Sequence, residues 1–299
     1  MPTTLSKRLA VVASAFSADP REAALRAHAS GFAGVLFDAY SRAVSPPEFS
    51  ASGQREFLSV LRANDVQLVG LQGDLGAKGL GPGADVDRVL DRAEAAMKAA
   101  ADLRAPLVCI DLGPMPEPAR ESKPRPAIKS EQAGAIIIPS ARVEAPLADQ
   151  PRQPASDPAV ASQFHDALSE LGHRAERYSC TVALSSALAS FAAIDAALRA
   201  AACPWFGVDL DPVAILRDDW SGDEIFSALG DEIRHIRVRD AIAGTDRRTK
   251  PAIVGQGKTD WPTLLNHLDA TGYAGWLTVD PTELPDRNAA AIAARNVIL

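Results

Sequence analysis

A chain of 299 residues with 47% hydrophobic and 23% charged side chains has the composition of an ordinary globular domain, with ample apolar material for a core. Its net charge is −7 and no run of Lys and Arg forms a basic stripe, so a nucleic-acid partner is not expected. No apolar run approaches the ~20 residues that span a bilayer, so no membrane partner is expected either, and three scattered cysteines (Cys109, Cys180, Cys203) match no ligand or redox spacing. They read as small core residues in a reducing compartment, which points to the cytoplasm.

Leu9 to Phe16 reads as a first strand, with one alternative: Lys7-Arg8 followed by LAVVASAFSA also fits a short signal peptide. Asp19 as N-cap and Pro20 at the first helical position open a helix over Arg21 to Ala29, which Gly31 ends. A second strand follows at Gly34 to Asp38, a helix at Gly53 to Asn64, and a third strand at Gln67 to Gln72. The glycine-rich GDLGAKGLGPG that leads into the helix Asp85 to Leu103 has neither the GxGxxG spacing nor a following Gly-Lys-Ser/Thr. It reads as a plain strand-to-helix loop rather than a phosphate site.

Strand 4 is Pro106 to Leu112. Residues 114–158 then become rich in Pro and charge, broken only by Ala135 to Pro139. A loop this long at the end of a strand is either a disordered insertion or a lid, and the apolar Ile136 to Ile138 favour a short hairpin over the mouth of the fold. A helix at Val160 to Tyr178, strand 5 at Thr181 to Ser185, a helix at Phe191 to Ala202, strand 6 at Trp205 to Leu210 and a helix at Asp223 to Leu229 continue the alternation.

Strand 7 lies in IRHIRVRD, where Ile236 and Val238 fall on one face and His235, Arg237 and Arg239 on the other. A polar loop (Gly244 to Arg248), the turn Gly255-Gln256-Gly257 and Asp260 as N-cap introduce a helix with Trp261, Leu264, Leu265 and Leu268 on its apolar face. Strand 8, Gly275 to Asp280, and a helix, Arg287 to Val297, close the chain. Strands alternating with crossover helices predict an α/β fold: a single (β/α)8 TIM barrel over residues 1–299, with 114–158 inserted after strand 4.

In such barrels the chemistry sits on inward-facing side chains at the C-terminal ends of the strands. With Val208 and Leu210 toward the helices, Asp209 points inward and Asp211 shares its parity. By the same logic Asp38, Asp111, Ser185, Arg237 and Asp280 end strands 2, 4, 5, 7 and 8, so aspartates surround one arginine. A lone Asp at a strand end is as often a turn former or helix cap. Several on one parity weigh toward a site.

The strand 7 unit resembles the signature of the xylose isomerase-like TIM barrels, which include sugar phosphate isomerases/epimerases and type IV AP endonucleases. Its counterparts here are His235 to Asp240, Arg247 or Arg248 in the loop, and Gly255 to Trp261. The resemblance implies a divalent metal held by Glu on strand 5, Asp on strand 6, His on strand 7 and Glu on strand 8, the two Glu residues also moving a proton between adjacent carbons. At those places this chain carries Ser185, Asp211, Arg237 and Asp280, and Ala214 replaces a His that follows the Asp-Pro of strand 6. Arg cannot ligate a metal. No metal and no cofactor is therefore expected.

The expectation is a divergent sugar isomerase/epimerase relative that lacks the metal-dependent activity and binds a small carbohydrate-like ligand at the barrel mouth. Asp211, Arg237 and Asp280 form its centre, with Asp38, Asp111, Ser185, Asp209, His235, Arg239, Arg247 and Arg248 around the ligand. The alternative is an active metal-independent sugar (phosphate) isomerase/epimerase, in which Arg237 or Arg239 polarises a carbonyl and Asp280 or Asp211 moves the proton. An open mouth favours the enzyme. A mouth plugged by Trp205, Trp276 or the insertion favours the binder.

Overall fold

The computed structural model describes residues 8–40, 50–118, 157–186, 189–218, 222–243 and 249–299. Its elements run β1 Leu9–Val12, α1 Pro20–Ala29, β2 Gly34–Asp38, α2 Ala51–Ala63, β3 Gln67–Gly73, α3 Val86–Leu103 and β4 Leu107–Asp111. After the insertion come α4 Pro158–Arg177, β5 Thr181–Ser185, α5 Phe191–Ala201, β6 Phe206–Leu210, α6 Pro212–Asp218, α7 Gly222–Leu229 and β7 Ile233–Val238. The chain then makes β8 Asp240–Ala243, β9 Thr249–Ala252, α8 Trp261–Ala270, β10 Leu277–Val279 and α9 Arg287–Ile298.

Eight of these strands close into a parallel barrel in the order β1-β10-β7-β6-β5-β4-β3-β2. Parallel strands are covered on both faces, so they read as near-continuous apolar runs, and β1 (LAVV) is buried along its whole length. The seam closes where Leu9 pairs with Leu277 and Val11 with Val279. Amphipathic helices pack outside, and side-chain caps set their starts: Asp19, Ser50, Asp85, Asp157, Ser190, Asp260 and Asp286 each accept from a backbone N–H of the first turn.

Three local expectations are corrected. Strand 1 ends at Val12, and Ala13–Ala15 form a 3-10 turn that starts the bend toward α1. The stretch after β6 is not all loop, since Asp211-Pro212 opens the short helix α6, with the Asp211 carboxylate accepting from Val213 N–H at 3.0 Å. The polar loop after strand 7 is framed by an antiparallel hairpin, with Asp240 opposite Ala252 and Ala243 opposite Thr249. Two strands of four residues each, one of them with a Pro, are too short to show the apolar alternation that announces a strand.

The hairpin and the glycine turn are tied together by Asp240. Its carboxylate is buried and accepts from the backbone N–H of Ala241, Gly255, Gly257 and Thr259 at 2.8 to 3.0 Å. A Cβ on residue 257 would stand 2.1 Å from Asp240 Oδ1, and Gly255 has φ +85°, so both positions require glycine. The glycine signature thus exists to wrap backbone donors around a buried acid.

Most of the insertion, residues 119–156, lies outside the described residues, as do Arg247 and Arg248. Its first residues run on the mouth side of the barrel, where the Glu117 carboxylate accepts from Ser190 N–H at 3.0 Å and from Ser190 Oγ–H at 2.6 Å at the start of α5.

Candidate functional site at the barrel mouth

The register of neighbouring strands decides which side chains meet. Between β6 and β7 the pairing shifts by one residue after Val208, which puts Asp209 opposite His235. Asp209 is fully buried. Its Oδ1 faces His235 Nδ1 at 2.7 Å, and its Oδ2 accepts from Arg237 Nε at 2.7 Å and lies 2.6 Å from Nη2 of the same guanidinium. The far nitrogen of His235, Nε2, stands 2.7 Å from Thr278 Oγ1 on β10. Both ring nitrogens of His235 are thus engaged by buried polar partners.

Arg237 leans from there toward β10, where its Nη1 is 3.7 Å from Asp280 Oδ2. Asp280 itself accepts from Thr282 N–H at 3.2 Å and Thr282 Oγ–H at 2.6 Å. One residue row higher, Arg239 bridges Asp211 Oδ2 at 2.8 Å and Glu283 Oε2 at 2.6 Å. Two Arg-centred ion pairs are therefore stacked on strands β6, β7 and β10, the lower one dry and the upper one at the rim.

The electrostatics follow from burial and pairing. Burial works to raise the Asp209 carboxyl, but Arg237 and His235 outweigh it and hold the group well below the usual carboxylate range. Burial likewise opposes the charge on Arg237, and Asp209 and Asp280 overcome it. Asp211 is raised, because burial exceeds what Arg239 returns. Burial pushes the Cys109 thiol well up, so it stays protonated and inert beside this cluster.

Above the dry layer lies a cavity of about 410 Å³, bounded by Asp111, Ser185, Asp209, Asp211, Arg237 and Arg239, with the apolar Phe191, Ile194 and Pro251 also in its lining. Of the residues expected at the mouth, these six reach it. His235 is fully buried below it with both ring nitrogens engaged, and Asp280 stands beside Arg237 outside the lining. Asp38 is exposed and accepts from Tyr40 N–H at 2.9 Å, a turn contact away from the cavity. Trp205 and Trp276 precede β6 and β10, so they lie at the opposite end of the barrel; Trp276 packs near Gly34 at the start of β2.

Four polar lining residues escaped the sequence reading. Ser186 donates to Gly113 O at 2.7 Å, and Arg217 of α6 donates to Ala189 O. Glu283 follows β10 on the rim, and Thr249 belongs to the hairpin. Glu283 was findable: it lies three residues beyond Asp280, on a loop leaving the C-terminal end of the barrel strands. The other three depend on elements that carry little periodicity.

The residues present do not fit a divalent ion at the place the family resemblance implies. The Arg237 side chain stands where an imidazole would be needed, Ser185 offers only a hydroxyl that faces Ile110 O at 3.5 Å, and Asp211 is already engaged by Arg239. A second grouping, Cys109, Asp209 and His235, has donor atoms within 4.8 Å of one another. It fits no better, since Asp209 and His235 are spent on their hydrogen bonds and a dication would sit against a guanidinium.

Solved structures show the same fold at low identity. A D-psicose 3-epimerase with D-tagatose from Clostridium cellulolyticum H10 superposes with a TM-score of 0.67 at 14% identity, covering 97% of this chain and 98% of that one. A D-allulose 3-epimerase from Methylomonas sp. in complex with D-allulose gives 0.64 at 14%, covering 97% and 96%. A xylose isomerase domain protein from Alicyclobacillus acidocaldarius subsp. acidocaldarius gives 0.69 at 12%, covering 97% and 96%. No curated protein matches the chain significantly in sequence. The family model described as xylose isomerase-like TIM barrel matches residues 24–298, nearly the whole of the barrel built above, and the chain belongs to that family.

Proposed function

We propose that this protein binds a small carbohydrate-like ligand in the cavity at the C-terminal mouth, without the divalent metal that the family resemblance implies. The observation that carries the reading is the cavity: about 410 Å³, within the ~300 to 1,000 Å³ usual for small-molecule sites. Carboxylates, guanidiniums and serine hydroxyls, together with the apolar Phe191, Ile194 and Pro251, suit a ring or chain that carries both hydroxyls and C–H groups. D-tagatose and D-allulose in the structural neighbours support the ligand class by analogy.

The described lining also favours an unphosphorylated ligand. Asp111, Asp209, Asp211 and Glu283 face Arg217, Arg237 and Arg239, so carboxylates outnumber guanidiniums. A phosphate would add negative charge to a place that already has an excess.

A second reading, a metal-independent isomerase or epimerase, is favoured by Asp211, which lines the cavity next to Arg239. Its carboxylate would take the proton from the carbon beside a carbonyl and return it to the neighbouring carbon or the other face. The guanidinium row would carry the charge that develops on the oxygen.

One experiment separates the two. Free ketoses and aldoses are titrated calorimetrically in the presence of chelator, and the same mixtures are followed by proton NMR in D2O. Saturable binding without loss of the C–H signal beside the carbonyl supports the binder, and solvent exchange at that carbon supports the enzyme. No binding across the panel sinks both.

A further inference from the structure

We propose that the Arg237 guanidinium is the resident cation of this site: it occupies the place of the family's divalent ion, excludes that ion, and offers Nη1 to an oxygen of the ligand. The inference about the cation stands on the geometry and on the family resemblance. The part about the ligand rests on the functional reading above.

The geometry is that of a clamped charge. Arg237 projects from β7 between Asp209 on β6 and Asp280 on β10, the two strands that flank β7 in the barrel. Two of its nitrogens share Asp209 Oδ2, and the carboxylate cannot swing away because its other oxygen is held by His235, itself held by Thr278. The guanidinium is thus fixed by a chain of contacts reaching across three strands, rather than resting on a flexible stem. Nη1 is beyond hydrogen-bonding distance of Asp280, which leaves it as the donor for a ligand in the cavity that Arg237 lines.

The charge exchange is balanced. Replacing a neutral imidazole by a guanidinium and a glutamate by Ser185 adds as much positive charge as a divalent ion would supply. Of the remaining carboxylates, Asp280 faces Arg237 and Asp211 is paired with Arg239, cations that no chelator can remove. A monocation with directional N–H donors stabilises an oxyanion by hydrogen bonds instead of by a coordination bond.

The test uses Mn2+ as the probe, read by electron paramagnetic resonance on the full chain. The natural protein is expected to leave the free-Mn2+ signal unchanged. The double variant Ser185→Glu with Arg237→His is expected to remove about one equivalent of that signal, as a closed set of O and N donors does. Arg237→Lys keeps the charge and serves as the variant most able to fold; it is expected to leave the signal unchanged. The proposal is overturned if the natural chain binds Mn2+ and loses it on Asp211→Asn, or if the folded double variant stays metal-free. No sugar enters this titration, so its failure is separate from a failure of the ligand reading.

Discussion

Arg237 Nη2 stands 2.6 Å from Asp209 Oδ2, joining adjacent strands by a buried ion pair in a part of the barrel where no side chain of Asp209 reaches solvent. A guanidinium and a carboxylate in that setting stabilise little relative to a well-packed apolar pair, yet removing one partner strands the other. The pair is for that reason a sensitive point for both stability and chemistry.

Arg237→Met leaves Asp209 and Asp280 facing each other without a cation, and it is expected to cost ~3 to 5 kcal/mol in chemical denaturation. Adding Asp209→Asn neutralises the stranded charge and is expected to return part of that loss. A single-variant cost under about 1 kcal/mol, the ceiling for an exposed pair, would show that the network is not under load.

The same pair shapes the acid limb of stability. Asp209 is held well below the ordinary carboxylate range in the folded state, so the unfolded chain binds the proton first. Its contribution is complete above the unfolded value of about 4 and is lost progressively as pH falls below that toward the depressed folded value. Urea titrations of the natural chain and of Asp209→Asn at a series of pH values should show a gap that is constant near neutrality and narrows below about pH 4. A gap independent of pH would exclude Asp209 as the linked group.

At the hairpin, Gly257→Ala drives a methyl group into the Asp240 carboxylate, placing its Cβ 2.1 Å from Asp240 Oδ1. It is expected to cost ~1 to 3 kcal/mol by breaking the donor set around a buried acid. Hydrogen exchange at Gly255, residue 257 and Thr259 should accelerate together, since all three N–H groups share that acceptor. Acceleration at residue 257 alone would mean the three bonds are independent.

Ala214 lines the cavity from α6 at a half-buried position, so a larger side chain there competes with a ligand for the same space. Ala214→Trp is expected to abolish calorimetric binding of any free sugar that the natural chain binds, while the thermal midpoint changes little. Undiminished binding in that variant would place the ligand elsewhere.

The order of strands and helices, the helix caps and the glycine turn are all written in local sequence. Apolar runs such as LAVV, caps such as Asp19-Pro20 and the Gly255-Gln256-Gly257 turn act through neighbours a few residues away, so they survive any choice of tertiary partner. Alternation also gave the inward parity of Asp209, Arg237 and Arg239. What alternation cannot give is depth, because the strands of a closed barrel are staggered and their registers shift. The one-residue shift after Val208 sends His235 into the dry layer beneath Arg237 and pairs that arginine with Asp209, leaving Asp211 to Arg239. Asp38 shares the parity and still misses the cavity, and Asp240 looks like one more mouth acid but is consumed by four backbone donors from a loop that returns to it. Apart from the local Asp38–Tyr40 and Asp240–Ala241 bonds, those contacts join residues 15 to 28 positions apart, and only folding the barrel brings them within hydrogen-bond range.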